Sequence, residues 1–303
     1  MKQIGRFLFE KRLAEGGVAK VYLGYDPADE PKEIFVIKVG SAEDHDDFMK
    51  EATILKRLRH PNVVRVVDFG TERGKVFIAM EYVHGVDLHT LLRQHPILAI
   101  NDAAMITREV ASALAAAHAL KDESGAELHI VHRDVTPTNI LLSLKGEVKL
   151  ADFGTAKWEQ AEVRTKTGII KGKYEYLAPE QALGVGVDHR TDLYCLGLVL
   201  YEMLSGKRAY SAADPYDMIE LAANGTLVPA KTAMPKEAKA IVPIVERLLA
   251  KDPKQRFRTA KAVIEALDLA VPGAKAGSVR TDVSLLVQAS RHARGRKTPT
   301  RDD

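Results

Sequence analysis

The chain has 303 residues, 46% of them apolar and 28% charged, which is typical of a globular protein and excludes a disordered or fibrous one. Its net charge of +3 is uneven, because residues 272–303 carry seven Lys and Arg against three Asp, which leaves the other 271 residues at −1. A nearly neutral body predicts no specific nucleic-acid binding, and a single cysteine, Cys195 in an apolar run, excludes a disulfide framework and predicts an inert core thiol.

The first eighty residues are predicted to form strands with one helix among them. Runs of β-branched and aromatic residues separated by Gly, Pro and Asp predict strands at 7–9, 20–23, 34–37, 63–69 and 76–82. Apolar residues that repeat every three or four positions predict a helix over 47–59. That helix should end before Pro61, because proline disfavours helical geometry in the residue that precedes it.

After Gly85 the pattern becomes helical, and helices are predicted at 102–120, 192–204, 215–223, 236–249 and 260–270. The second of these is apolar on almost all sides and should be buried at the centre of its domain. Strands followed by helices predict an α+β fold with two lobes, 1–83 and 84–271, and a cleft between them.

Residues 272–303 are predicted to form a basic, flexible C-terminal tail, because glycines and arginines are scattered through them. A solubilising linker is the simplest interpretation, and contact with an anionic membrane, a nucleic acid or the chain's own acidic surface stays open. The first residues show no secretory signal, and the longest apolar run, 193–201, is about half the length of a bilayer span. We therefore expect a cytoplasmic protein with no membrane span in this chain.

Two features of the strand-rich part indicate chemistry with phosphate. A glycine-rich turn at 13–21, between the first two strands, would let backbone N–H groups approach phosphate oxygens, although a flexible hairpin is the simpler alternative. Lys38 lies in an otherwise apolar strand, where an unpaired ammonium is costly, so it needs an anion. Glu51 on the predicted helix is a candidate partner, and a lysine that reaches out to solvent is the alternative.

The strongest signal lies in three motifs of the helical part. His132-Arg133-Asp134 is followed five positions after Asp134 by Asn139, which can place a base and a metal ligand in one loop. Asp152-Phe153-Gly154 follows a predicted strand, so that its carboxylate can hold a second face of a Mg²⁺ ion that bridges phosphates. Ala178-Pro179-Glu180 completes the series. In this order and spacing, chance is a negligible explanation.

These motifs resemble those of the eukaryotic-like (Hanks-type) serine/threonine protein kinases, in their bacterial branch, over residues 5–269. The resemblance implies a bilobal fold with ATP in the cleft and transfer of its γ-phosphoryl group to protein Ser or Thr. It implies that Asp134 orients the substrate hydroxyl or accepts its proton, and that Asn139 and Asp152 hold Mg²⁺. The nucleotide contacts that it implies are Ala14, Gly16, Gly17, Val21, Lys38, Glu51, Glu81, Val83, Asp87 and Asp152. Residues that the family uses as scaffold are matched by His132, Glu180 with Arg256, and Asp192.

The sequence departs from the family pattern in the glycine loop, where Ala14 and Ala19 replace glycines, and at two positions near the reaction. Thr136 stands where the family has a lysine that reaches the γ-phosphate, and Lys173 stands where the family has a threonine. Our hypothesis is that Lys173 supplies the missing ammonium and acts in catalysis; an unrelated pair of substitutions is the alternative.

Two threonines of the segment between Asp152 and Glu180, Thr165 and Thr167, are candidate autophosphorylation sites. A basic surface loop is the alternative interpretation of this segment. Arg133, directly before the catalytic Asp134, is typical of kinases in which a phosphate orders this segment.

Two other function classes stay open. A pseudokinase, which binds ATP or acts as a scaffold without transfer, is favoured by the two alanines and by the missing lysine. A small-molecule phosphotransferase is disfavoured by the Ala178-Pro179-Glu180 motif and the apolar helix after it, and tyrosine specificity by the loop after Asp134. The expected partners are ATP, a protein substrate and a second copy of the chain for autophosphorylation.

Overall fold

The computed structural model describes residues 2–15, 19–41, 49, 52, 53, 55–153, 174–275 and 277–295. The chain divides into two compact units, Met1–Val83 and His84–Asp303. The first unit is a sheet with helical residues between its fourth and fifth strands, and the second unit is mainly helical. The α+β bilobal fold class is therefore confirmed.

Six antiparallel strands form the sheet of the first unit, in the order β1-β2-β3-β4-β6-β5. They are β1 (Gln3–Ile4), β2 (Phe7–Glu15), β3 (Ala19–Tyr25), β4 (Ile34–Ser41), β5 (Val66–Glu72) and β6 (Lys75–Glu81). All five predicted strands are present, and the two-residue β1 is too short to give a periodic signal. Within the predicted helix, 47–59, the described residues 49, 52, 53 and 55–57 are helical, whereas 58 and 59 are not.

The second unit holds nine helices and a small sheet among its described residues. The antiparallel sheet has the order β7-β8-β9, with β7 (Gly85–Asp87), β8 (Ile140–Ser143) and β9 (Val148–Leu150). The helices are α1 (Leu88–Leu92), α2 (Ile100–His118), α3 (Pro179–Ala182), α4 (His189–Ser205), α5 (Pro215–Asn224), α6 (Ala230–Ala233), α7 (Val242–Leu248), α8 (Ala260–Ala270) and α9 (Gly277–Gly295). None of these helices is long and apolar enough to span a membrane.

Helix α4 forms the centre of the second unit, as its apolar sequence predicts. Fourteen of its seventeen residues are buried, and Cys195 is among them, where burial raises the pKa of its thiol. The helix predicted over 236–249 is instead a 3₁₀ turn, Lys236–Ala240, followed by α7. Pro243 explains the break, because proline has no N–H to donate and is accommodated only in the first turn of a helix.

The predicted flexible tail is also different in the structure. Residues 272–275 form a 3₁₀ turn, and α9 follows as a nineteen-residue helix that packs against α1, α2, β7 and β8. Val279, Val283 and Val287 are buried at a four-residue spacing, which is one face of a helix. The prediction of a flexible tail is therefore wrong for 272–275 and 277–295, because the apolar stripe docks this segment despite its glycines and arginines. For 296–303, outside the described residues, it stays a prediction.

Candidate active site

In the first unit, β4 presents Lys38 on the opposite face of the sheet from the core. Ile37 and Val39 are buried in a core that also contains Phe7 and Phe77, so alternation along the strand turns Lys38 to the other face. Val21 on β3 lies directly opposite Lys38.

A second cross-strand pair extends the row, because Ala14 on β2 lies directly opposite Val21. Cross-strand partners share a face of the sheet. Three of the predicted nucleotide contacts, Ala14, Val21 and Lys38, therefore form one row across three strands.

The end of β6 carries two further predicted contacts, Glu81 and Val83. The backbone N–H of Glu81 donates to Arg65 O at 2.9 Å, and its side chain accepts from the N–H of Arg65 at 2.8 Å. Glu81 is therefore held in place on both its backbone and its side chain. The N–H of Val83 has no hydrogen-bond partner among the residues that the structure describes.

Several predicted residues lie outside the described part of the chain. They are Gly16, Gly17, Glu51, Lys173 and the two candidate phosphorylation sites Thr165 and Thr167. The predictions that concern them stay predictions.

In the second unit, the structure brings Asp134 and Asn139 together. The amide nitrogen of Asn139 donates to Asp134 Oδ2 and to the backbone oxygen of Asp134, both at 2.8 Å. Asn139 ends a 3₁₀ turn, Pro137–Asn139, that folds the loop back on itself. Because its nitrogen faces Asp134, the amide oxygen of Asn139 is left as an acceptor without a hydrogen bond to any described residue.

His132 connects this loop to the segment that carries Asp152. Its Nε2 lies 2.9 Å from Ala151 O, and its Nδ1 accepts from the N–H of Asp134 at 3.2 Å, so the ring is consistent with a neutral Nε2–H tautomer. The imidazole also packs edge-on against Phe153, with ring centroids 4.5 Å apart. One buried side chain therefore contacts the loop that carries Asp134 and the residues on both sides of Asp152.

Asp192, at the start of α4, anchors the same loop from the core. Its fully buried carboxylate accepts hydrogen bonds from the N–H of His132 (2.9 Å), the N–H of Arg133 (2.7 Å) and His118 Nε2 (2.8 Å). Arg133 has a φ of +66°, in the left-handed region that residues other than glycine rarely adopt. The anchored N–H holds this strained residue directly before Asp134.

Gln181 on α3 completes the anchor and was not predicted from the sequence. Its Nε2 donates to Arg133 O at 2.9 Å, and its Oε1 accepts from the N–H of Ala178 at 3.1 Å. The strained residue is thus bound at its N–H by Asp192 and at its C=O by Gln181. A polar residue three positions into a helix is a capping signal, and that signal could have drawn attention to Gln181.

Glu180 and Arg256 form a buried, bidentate ion pair, as the resemblance implied. Arg256 is 1% exposed, and its five N–H groups are all used, two on Glu180 (2.7 and 2.8 Å) and three on backbone oxygens. Burial raises the pKa of Glu180, but hydrogen bonds from Arg256 and Thr191 outweigh it and hold that pKa below its usual value. This pair fixes the Ala178-Pro179-Glu180 segment to the body of the unit.

A second ionic cluster lies beside that segment and was also missed. Arg208 pairs with Glu175 and lies 3.9 Å from Glu202, which accepts a hydrogen bond from the hydroxyl of Tyr176. Burial raises the pKa of Glu175, and the Arg208 guanidinium offsets this only in part. Glu175 and Tyr176 are separated from their partners Arg208 and Glu202 by 33 and 26 residues, so no local motif indicates these contacts.

Asp87 and Thr136 both have structural partners. Asp87 caps α1 by accepting from the N–H of Thr90 at 2.7 Å, and it pairs with Leu141 in the small sheet. Thr136 is buried, and its hydroxyl lies 2.9 Å from that of Thr138. The site of the missing lysine is therefore filled by a small, bonded side chain.

The sequence of the chain is similar to those of known proteins of one family. The sequence profile of the protein kinase domain matches residues 7–266. The chain is 33% identical to the tyrosine-protein kinase MasK of Myxococcus xanthus, across 88% of this chain and 43% of that protein. It is 38% identical to the probable serine/threonine-protein kinase CPE1738 of Clostridium perfringens, across 73% of this chain and 31% of that protein.

It is also 32% identical to the serine/threonine-protein kinase PrkC of Bacillus subtilis, across 85% of this chain and 39% of that protein. The chain thus spans less than half the length of each of these relatives. With a matching profile over most of its length and relatives above 30% identity, the chain belongs to the protein kinase family, in its eukaryotic-like (Hanks-type) bacterial serine/threonine branch.

Proposed function

We propose that this chain transfers the γ-phosphoryl group of ATP to Ser and Thr hydroxyls of proteins, in bacterial signalling. The observation that carries the proposal is the Asp134–Asn139 pair, in which an amide holds one oxygen of a carboxylate at 2.8 Å. The carboxylate of Asp134 would orient the substrate hydroxyl and accept its proton. The strained and doubly bonded Arg133 before it would keep that carboxylate in a fixed direction.

The residues of the second unit fit a magnesium ion. The unbonded amide oxygen of Asn139 and the carboxylate of Asp152 are the hard oxygen ligands that Mg²⁺ prefers. When bound, the ion would neutralise charge on the phosphates. The chain's own contribution is to hold Asn139 beside Asp134 through its amide nitrogen, which leaves the amide oxygen for the ion.

For the nucleotide, we assign the cross-strand row of Ala14, Val21 and Lys38 to its binding face, with Lys38 on the phosphates. Lys38 is the cationic member of this row, and a lysine ammonium binds phosphate as a point charge. The remaining proposed contacts are Gly16, Gly17, Glu51, Glu81, Val83, Asp87 and Asp152.

The proposal is tested by transfer of label from γ-labelled ATP with Mg²⁺, using Lys38→Met, Asp134→Asn and Asp152→Asn. Asp252→Asn is the matched control, because this exposed carboxylate caps a 3₁₀ turn and asparagine caps equally well. We expect label on the wild type and on the control, and none on the three variants. Binding of ATP by the wild type without transfer would instead establish a pseudokinase.

The hydroxyl specificity needs its own measurement, since one relative is described as a tyrosine-protein kinase. Phosphoamino-acid analysis of the labelled protein should find phosphoserine and phosphothreonine. Phosphotyrosine as the main product would overturn the serine/threonine assignment while leaving kinase activity in place.

Lys173 is proposed to supply the ammonium that Thr136 lacks. Thr136 is buried and bonded to Thr138, so a lysine introduced there would not test the idea cleanly. Lys173→Thr is the sharper variant, with Lys171→Thr as a control in the same segment. Turnover should fall only in Lys173→Thr, and equal turnover in both variants would end the compensation hypothesis.

Thr165 and Thr167 are proposed as autophosphorylation sites, with a second copy of the chain as the partner. Mass spectrometry of active enzyme should find phosphate on at least one of them. Because ATP is made and used in the cytoplasm, we propose that this domain acts there.

A further inference from the structure

Helix α9 follows the region that the kinase profile covers. One face of the helix packs against the rest of the second unit: Val279, Val283, Val287 and Ser290 are at most 3% exposed. The helix is therefore docked along its length, and the question is what its docking holds in place.

Three of its polar side chains contact one turn, Leu144–Gly146, which joins β8 to β9. Its other polar contacts include an ion pair of Arg280 with Glu109 of α2 and a hydrogen bond from Gln94 to Ser290 O. Ser284 Oγ donates to Leu144 O at 2.6 Å, and Gln288 Nε2 lies 3.4 Å from the same oxygen and 3.1 Å from Ser284 Oγ. The guanidinium of Arg280 donates to Gly146 O at 3.3 Å. Three side chains of one helix thus form hydrogen bonds with the backbone of one turn.

Gly146 shows how close this approach is. Its φ is +75°, and a Cβ at this position would lie 2.1 Å from the backbone oxygen of Arg280. Only glycine allows both the turn and the contact with the helix.

The other end of the same hairpin carries the proposed metal ligands. Asn139 directly precedes β8, and Asp152 lies two residues beyond β9. The N–H of Ala151 donates to Asn139 O at 2.8 Å, which ties these two ends together. Asp87, a proposed nucleotide contact, lies at the same end of the small sheet, because it is the cross-strand partner of Leu141 in β8.

We propose that α9 is a positioning element that clamps the Leu144–Gly146 turn and thereby holds Asn139 and Asp152 in register at the open end of the hairpin. Ser284 and Gln288 are its positioning residues. The proposal rests on the proposed function, because it gives these two side chains their role with Mg²⁺ and nucleotide.

The test compares Ser284→Ala/Gln288→Ala with a control on the exposed face of α9, Thr281→Ala/Leu285→Ala. Amide-resolved hydrogen exchange is measured without nucleotide at Ala151 and, as a reference for general stability, at Leu198 in the buried α4. Loss of two hydrogen bonds to the turn should speed exchange at Ala151 roughly tenfold relative to Leu198. The control should leave the ratio unchanged.

Affinity for ADP with Mg²⁺ provides the second readout and should fall roughly fivefold to tenfold in the double variant. Ser284→Thr keeps the hydroxyl and should retain wild-type values. Ser284→Ala alone is the milder variant if the double variant does not fold. Equal acceleration at Ala151 and Leu198, or no change at either, would overturn the clamp. A wild type that binds no ADP and transfers no label would refute the proposed function instead, and the exchange ratio would still decide the clamp.

Discussion

Replacing Asp192 by asparagine should disable the catalytic loop at a cost in stability that follows from its hydrogen bonds. The carboxylate accepts two donors on Oδ2, from His132 and His118, and the N–H of Arg133 on Oδ1. An asparagine that keeps its oxygen at the Oδ2 position turns its NH₂ group toward the N–H of Arg133. The N–H of Arg133, left without an acceptor, costs about 1–3 kcal/mol. The other two hydrogen bonds lose their charged acceptor, which costs about 1 kcal/mol each. The free energy of unfolding should therefore fall by about 3–5 kcal/mol.

The same substitution should reduce turnover by more than the loss of folded protein explains. Arg133 at φ +66° stores about 1–3 kcal/mol of strain, which is released once its N–H has no acceptor. Relaxation of Arg133 rotates Asp134, so kcat should fall roughly a hundredfold. The KM for ATP should change less than kcat, because Lys38, the proposed cationic contact to the phosphates, belongs to the first unit.

The assay pairs urea denaturation, followed by circular dichroism, with kcat and KM for the same samples. Asp188→Asn is the control: it lies at the N-terminus of the same helix, where asparagine caps as well as aspartate. Its stability and turnover should stay near wild type. If Asp192→Asn loses less than about 1 kcal/mol, or keeps its kcat, the carboxylate does not hold the loop as described.

Three further changes probe other parts of the second unit. Burial and the nearby Asp282 raise the pKa of Asp102 to about 6 from 3.8, so the contribution of Asp102 to stability is greatest below about pH 4 and is lost, by on the order of 3 kcal/mol, as pH rises through about 6. Asp102→Asn should remove this part of the pH dependence of urea denaturation. Arg256→Ala should cost about 3–5 kcal/mol because it leaves Glu180 buried and unpaired, and Arg256→Ala/Glu180→Ala should cost less than the sum of its single variants. Gly146→Ala should cost about 2 kcal/mol or more. Gly125→Ala is the control in thermal denaturation, because Gly125 has a φ of +86° but open space around it. This variant should lose only the stability that the unfavourable backbone angle costs.

The contact between Asp134 and Asn139 could be predicted from the sequence because it is local. Asp134 and Asn139 are five residues apart, and a single 3₁₀ turn brings them within hydrogen-bond distance. Lys38 could be predicted for a similar reason, since strand alternation alone decides which face of the sheet it occupies. Where one turn or one strand sets the geometry, residue types and spacing are enough.

The residues that sequence reasoning missed are those whose partners lie far along the chain. Gln181 matters because it meets Arg133 O, forty-eight residues earlier. Arg208 meets Glu175 across thirty-three residues, and Ser284 meets Leu144 across 140. Spacing carries no signal for such pairs, because the fold of the intervening chain decides whether they touch. The apolar stripe of α9 could be recognised in the sequence, but the sequence does not indicate which surface the stripe covers.

Strain and anchoring explain why so many scaffold residues surround so few reacting ones. Arg133 and Asp152 both adopt a left-handed φ, +66° and +61°, and each such residue costs about 1–3 kcal/mol. The backbone can hold these angles only if its neighbours are bonded in place, and Asp192, Gln181 and His132 supply those bonds. A substitution at any of the three leaves every reacting group present but lets the backbone relax toward ordinary angles. Activity should therefore be lost before the fold is, and variants of these anchors should resemble variants of Asp134 in turnover while remaining folded.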